Sequence, residues 1–113
     1  SIWYRYLFVI ERKREIMDNL LLFAQKESLN EKQKKAFLKI VKELPKGTNL
    51  QKERFIMYFG LDKTKGKRKK ICEMSKIYNC TASAVRESVM SIRNLLMRMP
   101  NEKIEMLQKI MEE

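Results

Sequence analysis

Histidine is absent from the 113-residue sequence, and glycine (three), proline (two) and cysteine (two) are scarce. Without histidine there is no Ser-His-Asp or Cys-His nucleophilic site, and none of the usual histidine-bearing zinc sites. So few turn-forming residues do not serve a many-stranded sandwich or barrel. Cys72 and Cys80 are too few for a disulfide framework and, without partners, make no metal motif. They read as reduced core thiols of a cytoplasmic protein. No stretch reaches the roughly 18 to 20 apolar residues of a membrane span. Residues 2–10 are broken by Arg5, run into the charged stretch 11–15 and lack a small-residue cleavage site, so no signal peptide is expected. The chain begins at Ser1 without an initiator methionine, which suggests a processed or excised piece of something longer. Carboxylates are scattered over charged helix faces with nothing to pair them in a pocket. Neither an enzyme nor a cofactor nor a metal centre is expected.

What is abundant is positive charge. Lysine and arginine number 25 against 14 acids, a net charge of +11, while 44% apolar content leaves ample material for a core. The charge is uneven: +1 over residues 1–27, +5 over 28–60, +5 over 61–80, +2 over 81–99 and −2 over 100–113. A basic middle points to a polyanion, nucleic acid or an acidic membrane surface. The acidic C-terminal segment disfavours a membrane-surface helix.

Helical periodicity dominates. Ser28 and Glu31 have the spacing of a capping box, opening a helix over 29–44 with Ala36, Phe37, Ile40, Val41 and Leu44 on one face. Pro45 and Gly47 end it. Thr48 and Gln51 form a second box ahead of Phe55, Ile56, Met57, Tyr58 and Phe59, with Gly60 as C-cap. Residues 62–70 form a lysine-rich loop. A short helix over 69–78 turns Ile71, Met74 and Tyr78 inward. Asn79 sits where a tight turn needs positive φ, and Thr81 caps a longer helix burying Val85, Val89, Ile92, Leu95 and Leu96. Pro100 stops or kinks it, and 101–113 is a last amphipathic helix with Ile104, Leu107 and Ile110. Upstream, 11–25 reads as helix with Ile16, Leu20, Phe23 and Ala24 on one side, and helix is favoured over an extended start for 2–10. Trp3, Tyr4, Tyr6 and Phe8 read as core or partner surface rather than a base-stacking platform, because only Arg5 interleaves them. The eight methionines read as core filler. The expectation is an all-α protein of five to six helices in three parts: an N-terminal helical segment (1–43), a central unit (44–99) and a C-terminal helix (100–113).

A short helix, a three-residue turn and a longer helix over 71–96 have the form of a helix-turn-helix, with small Ser75 at the closest helix approach and compact Cys80 after the turn. In such a unit the first turns of the second helix face base edges in the major groove. Here these carry Thr81, Ala82, Ser83, Arg86 and Glu87, with Met90 and Arg93 further along.

From Leu44 to Leu96 the chain resembles the C-terminal, promoter-recognising domain of bacterial sigma factors. Leu44-Pro45, then Lys52-Glu53-Arg54-Phe55-Ile56-Met57-Tyr58-Phe59-Gly60-Leu61-Asp62, is similar to that family's leucine-proline, charged, apolar, "FGLD" segment. Ile71 to Lys76, Tyr78 to Thr81 and Val85-Arg86 track its helix-turn-helix, and Ile92, Leu95 and Leu96 its closing leucine-rich turn. The resemblance implies binding to the upstream promoter element and docking on core RNA polymerase. Where primary members place arginine and glutamate after the threonine cap, this chain has Ala82, Ser83 and Ala84. Nothing resembles the family's promoter-melting domain, which makes the chain a fragment of a sigma factor or a regulator built on its last domain.

The expected base contacts are Ser83, Arg86 and Glu87. The expected phosphate contacts are Lys67, Arg68, Lys70, Thr81 and Arg93. Four or five neutralised phosphates give a slope of log affinity against log salt of roughly −4. The expected partner is double-stranded DNA, with core RNA polymerase as a second and no membrane. Two rival readings are a protein-interaction module on the same fold, binding RNA polymerase or a regulator, and a nonspecific nucleic-acid binder driven by the lysine loop.

Overall fold

The computed structural model describes residues 2–112. Six α-helices and one 3-10 turn follow in order: α1 (Ile2–Gln25), α2 (Glu31–Lys42), α3 (Asn49–Phe59), the turn Lys63–Lys65, α4 (Ile71–Ile77), α5 (Ala82–Met97) and α6 (Asn101–Met111). No strand is present among the described residues, so the fold is all-α. Among the described residues no helix is long and apolar enough to cross a membrane.

Helix α3 is the hub, packed on α5, α4, α2 and α1, while α1 and α2 also rest on α6. Phe37 of α2 and Phe55 and Phe59 of α3 form the aromatic centre, with ring centroids 6.0 and 4.7 Å apart. Ile92 and Leu96 of α5 and Ile104 and Leu107 of α6 close around it, all fully or almost fully buried. One continuous core therefore draws on α1, α2, α3, α5 and α6. Met74 of α4 and Val85 of α5 are also fully buried but lie outside that cluster.

Three helices end in the same way. A residue in the left-handed region follows the helix, and two backbone N–H groups turn back onto its last carbonyls, the Schellman arrangement. Glu27 (φ 56°), Gly60 (φ 62°) and Asn79 (φ 51°) hold that place. Ser28 N donates to Phe23 O, Leu61 N to Ile56 O and Cys80 N to Ser75 O, at 2.9 to 3.1 Å.

The first of these motifs corrects the expected start of α2. Ser28 is consumed in ending α1, so it cannot open the next helix. The N-cap is Asn30, paired reciprocally with Gln33, and buried Gln33 also donates to Ile110 O at the end of α6. At α3 the expected box holds, Thr48 with Gln51. Lys52 satisfies the end of α2 by donating to Lys42 O at 3.3 Å, and to Leu44 O just beyond it at 2.7 Å.

The N-terminal helix meets one expectation and departs from another. It is continuous from Ile2, about 36 Å long at 1.5 Å per residue. Its buried stripe is Met17, Leu20, Leu21 and Ala24, with Ile16 only half-buried and Phe23 exposed. Lys13, which donates to Met99 O at 3.0 Å, and Asp18, paired with Arg93, set this rotation. Beyond Lys13 the helix projects. Trp3, Tyr4, Tyr6 and Phe8 are 57–74% exposed, which corrects any reading of them as core. The methionines divide likewise: Met17, Met74 and Met99 are buried, whereas Met90 and Met106 are about half exposed. Cys72 is exposed and Cys80 half-buried, so the former is not a core thiol. Tyr78, expected inward, keeps a half-buried ring because its hydroxyl reaches across to α3.

Candidate nucleic-acid interface

The α4–α5 pair is held by α3 through polar side chains. Tyr78, at the end of α4, donates its hydroxyl to Glu53 Oε1 at 2.9 Å. Arg54 lays its guanidinium over the Tyr78 ring, 4.8 Å from the centroid, and donates to Ser88 Oγ at 3.0 Å. Ser88 Oγ in turn donates to Ala84 O. Two adjacent residues of α3 thus grip the connection between the helices and the second turn of α5. Burial and the Glu53 hydrogen bond push the Tyr78 phenol up to about 12.

Asn79 makes the tight reversal, and Thr81 opens α5 by accepting from Ala84 N at 3.1 Å. Val85, Ser88, Val89, Ile92 and Leu96 face inward. Ser83 and Glu87 stand one turn apart on the opposite, solvent side, and Arg86 is exposed beside them. The three expected base contacts therefore share the first turns of one helix. Arg86 and Met90 also border an open cleft of about 390 Å³ between α5 and α1, walled by Leu21, Leu22 and Tyr58.

The expected phosphate contacts fall into different settings. Lys67 and Lys70 are exposed, the latter at the N-cap of α4 with no side-chain hydrogen bond there. Thr81 is exposed but its hydroxyl already serves the cap. Arg68 is half-buried: it lies 4.0 Å from Glu27, stands 6.0 Å from the Tyr58 ring centroid and packs its backbone against Gly60. Arg93 is joined to Asp18 of α1 at 2.7 Å.

The lysine loop is anchored at both ends. Asp62 accepts from the Thr64 hydroxyl at 2.7 Å and from Thr64 N at 3.0 Å. These bonds, with lesser help from the charges of Lys42 and Lys65, hold its carboxyl below the usual value. At the far end Lys69 N donates to Met57 O. Between them Lys63, Lys67 and Arg68 line a cleft together with Glu27 and Lys34.

Residues that the sequence did not single out belong to this region. Lys34 comes from α2, and Asp18 of α1 and Glu27 in the turn just after it restrain two of the expected cationic contacts. Their separations, 75 positions for Asp18 and Arg93, leave no local signal. Glu53 and Arg54 lay within the FGLD-like segment without an assigned role. Among the described residues no cluster of metal-ligating side chains forms. The chain matches no family model, no curated protein and no solved structure.

Proposed function

We propose that this chain is a DNA-binding transcription factor, or a sigma-factor-like protein of the bacterial cytoplasm, that recognises promoter duplex DNA. In this reading α4 and α5 act as a helix-turn-helix, and core RNA polymerase is a second partner. The observation that carries it is the α4–α5 pair itself. Its reversal at Asn79, its cap at Thr81 and its grip by Glu53 and Arg54 leave Ser83, Arg86 and Glu87 exposed on the first turns of α5. Ser83, Arg86 and Glu87 contact base edges, Arg86 suiting a guanine. Lys67, Arg68, Lys70, Thr81 and Arg93 contact phosphates, which position the duplex.

Selection of binding sites from a random duplex pool, at low and at moderate salt, tests this. One motif should be enriched, survive the higher salt and disappear in Arg86→Ala. A lost bidentate base contact costs about 1 to 3 kcal/mol. Enrichment of no motif, with binding that collapses as salt rises, would leave only the electrostatic attraction and refute promoter reading.

A second reading, a protein-interaction module on the same fold, is favoured by the projecting start of α1. There Ile2, Trp3, Tyr4, Tyr6, Leu7, Phe8 and Val9 are 40–89% exposed. Apolar surface of this extent marks interaction sites. Under it, Arg86→Ala with Lys70→Ala retains polymerase binding while the parent leaves no footprint on DNA.

A further inference from the structure

Helix α2 carries a lysine face that neither reading uses. Lys35, Lys39 and Lys42 follow one another at spacings of four and three, all exposed, opposite the buried Gln33, Phe37 and Val41. No acidic residue lies between Glu31 and Glu43. Like charges at these spacings destabilise a helix, and among the described residues none of the three lysines has an ion pair. Lys34, which is paired with Glu31 at 3.8 Å, differs from them in this.

The face is not isolated. Lys34 lines the same cleft as Lys67 and Arg68 of the lysine loop. At the other end of α2, Lys42 lies near enough to Asp62, where the loop begins, for its charge to act on that carboxyl. The lysine loop thus neighbours α2 at Lys34 and at Lys42, with Glu27 and Asp62 among its cations. We propose that the lysine face of α2 is a second phosphate-binding surface for duplex DNA, beside the lysine loop. It rests on the nucleic-acid part of the function proposed above, and it needs no base reading by α5. Lys35 to Lys42 span about 10 Å at 1.5 Å per residue. That length matches about three phosphates of one strand at 3.4 Å of axial rise each.

The test is the salt dependence of binding of the full chain to a nonspecific duplex of about 30 base pairs, at 3.4 Å each far longer than the protein's 50 Å. The triple variant Lys35→Ala, Lys39→Ala, Lys42→Ala keeps the helix, because alanine is the best helix former and the repulsion is relieved. Three lost contacts should flatten the slope by about 2.7, so that the affinity lost between 50 and 200 mM salt shrinks about 40-fold. A control, Lys103→Ala with Lys109→Ala on α6, removes charge elsewhere and should leave the slope within about 0.5. A triple variant with the parent's slope overturns the inference, and so does a control that flattens the slope as much per lysine. If that happens while Arg86-dependent site selection persists, only this inference fails. If the parent binds no duplex at all, both readings fall.

Discussion

Gly60→Ala is the sharpest test of how the lysine loop is held against α3. Gly60 ends α3 at φ 62°, where an L side chain is strained by roughly 1 to 2 kcal/mol. The position is also crowded. A Cβ there would stand 2.9 Å from the Cβ and the backbone N of Arg68 and 3.1 Å from its Cα. Backbone cannot swing aside as a side chain can, so residue 68 must shift. The neighbouring hydrogen bond from Lys69 N to Met57 O, 3.2 Å long, must stretch with it. The strain, offset by about 0.4 to 1 kcal/mol of unfolded-state entropy, and an overpacking cost of about 1 to 3 kcal/mol sum to a loss of roughly 1 to 4.5 kcal/mol, centred near 3. At about 4 °C per kcal/mol, the melting temperature should fall by roughly 10 °C. Gly66→Ala is the natural comparison: its φ is 86°, but nothing lies within 4 Å of the added Cβ. With ψ at −163° it lies in a region essentially reserved for glycine, so the change should cost about 1 to 3 kcal/mol from backbone strain alone. Urea unfolding followed by circular dichroism measures both. A loss below about 0.5 kcal/mol at Gly60 would refute the close approach of loop and helix end.

Other outcomes follow from single contacts. Thr81→Ala should destabilise by about 1 kcal/mol and Thr81→Gly by only a few tenths, read by the same urea titration. Asp18→Asn should cost less than about 1 kcal/mol, because the Arg93 pair is half-exposed. If Arg93 then reaches a phosphate, the salt dependence of duplex binding should steepen by about 0.9, and an unchanged slope speaks against that role. Folding favours the neutral Tyr78 phenol, whose folded value of about 12 exceeds the usual 10.0. The stability it contributes is complete below pH 10 and is lost as pH rises through about 12. The stability difference between the parent and Tyr78→Phe, measured by urea unfolding along this range, should therefore narrow at high pH. A constant difference argues against the Glu53 contact.

Much of the fold was legible because it is local. The Thr48–Gln51 box, the stops at Gly60 and Pro100, and the cap at Thr81 each depend on a few neighbouring residues whose chemistry is distinctive. Asn79 was legible for the same reason, since asparagine tolerates the left-handed region. Glu27 adopts it too, and glutamate gives no warning, so the cap of α2 was misplaced at Ser28, although α1 ends at Gln25 as expected. The rotation of α1 was illegible for a different reason. Residues 16, 17, 20, 21, 23 and 24 are all apolar, and periodicity cannot say which of two overlapping stripes meets the core. Lys13 and Asp18 settle it by reaching Met99 and Arg93, contacts that exist only after the chain has folded back on itself. In the candidate interface, the exposed positions on α5 followed from its helical period. The acids beside Arg68 and Arg93 did not, because they come from α1 and the turn that follows it, far away in sequence.

The projecting start of α1 also fixes what light can report about this molecule. Trp3 is the sole tryptophan, and it lies 69% exposed outside the core, stacked on Tyr6. Its emission should already be that of a largely hydrated indole in the native protein. Unfolding followed by tryptophan fluorescence should therefore be nearly silent, while far-ultraviolet circular dichroism shows the whole helical transition. The same placement makes the indole a clean sensor of encounter. A partner that covers this arm will shift the emission to the blue and shield it from a soluble quencher, and one that engages only α5 will not.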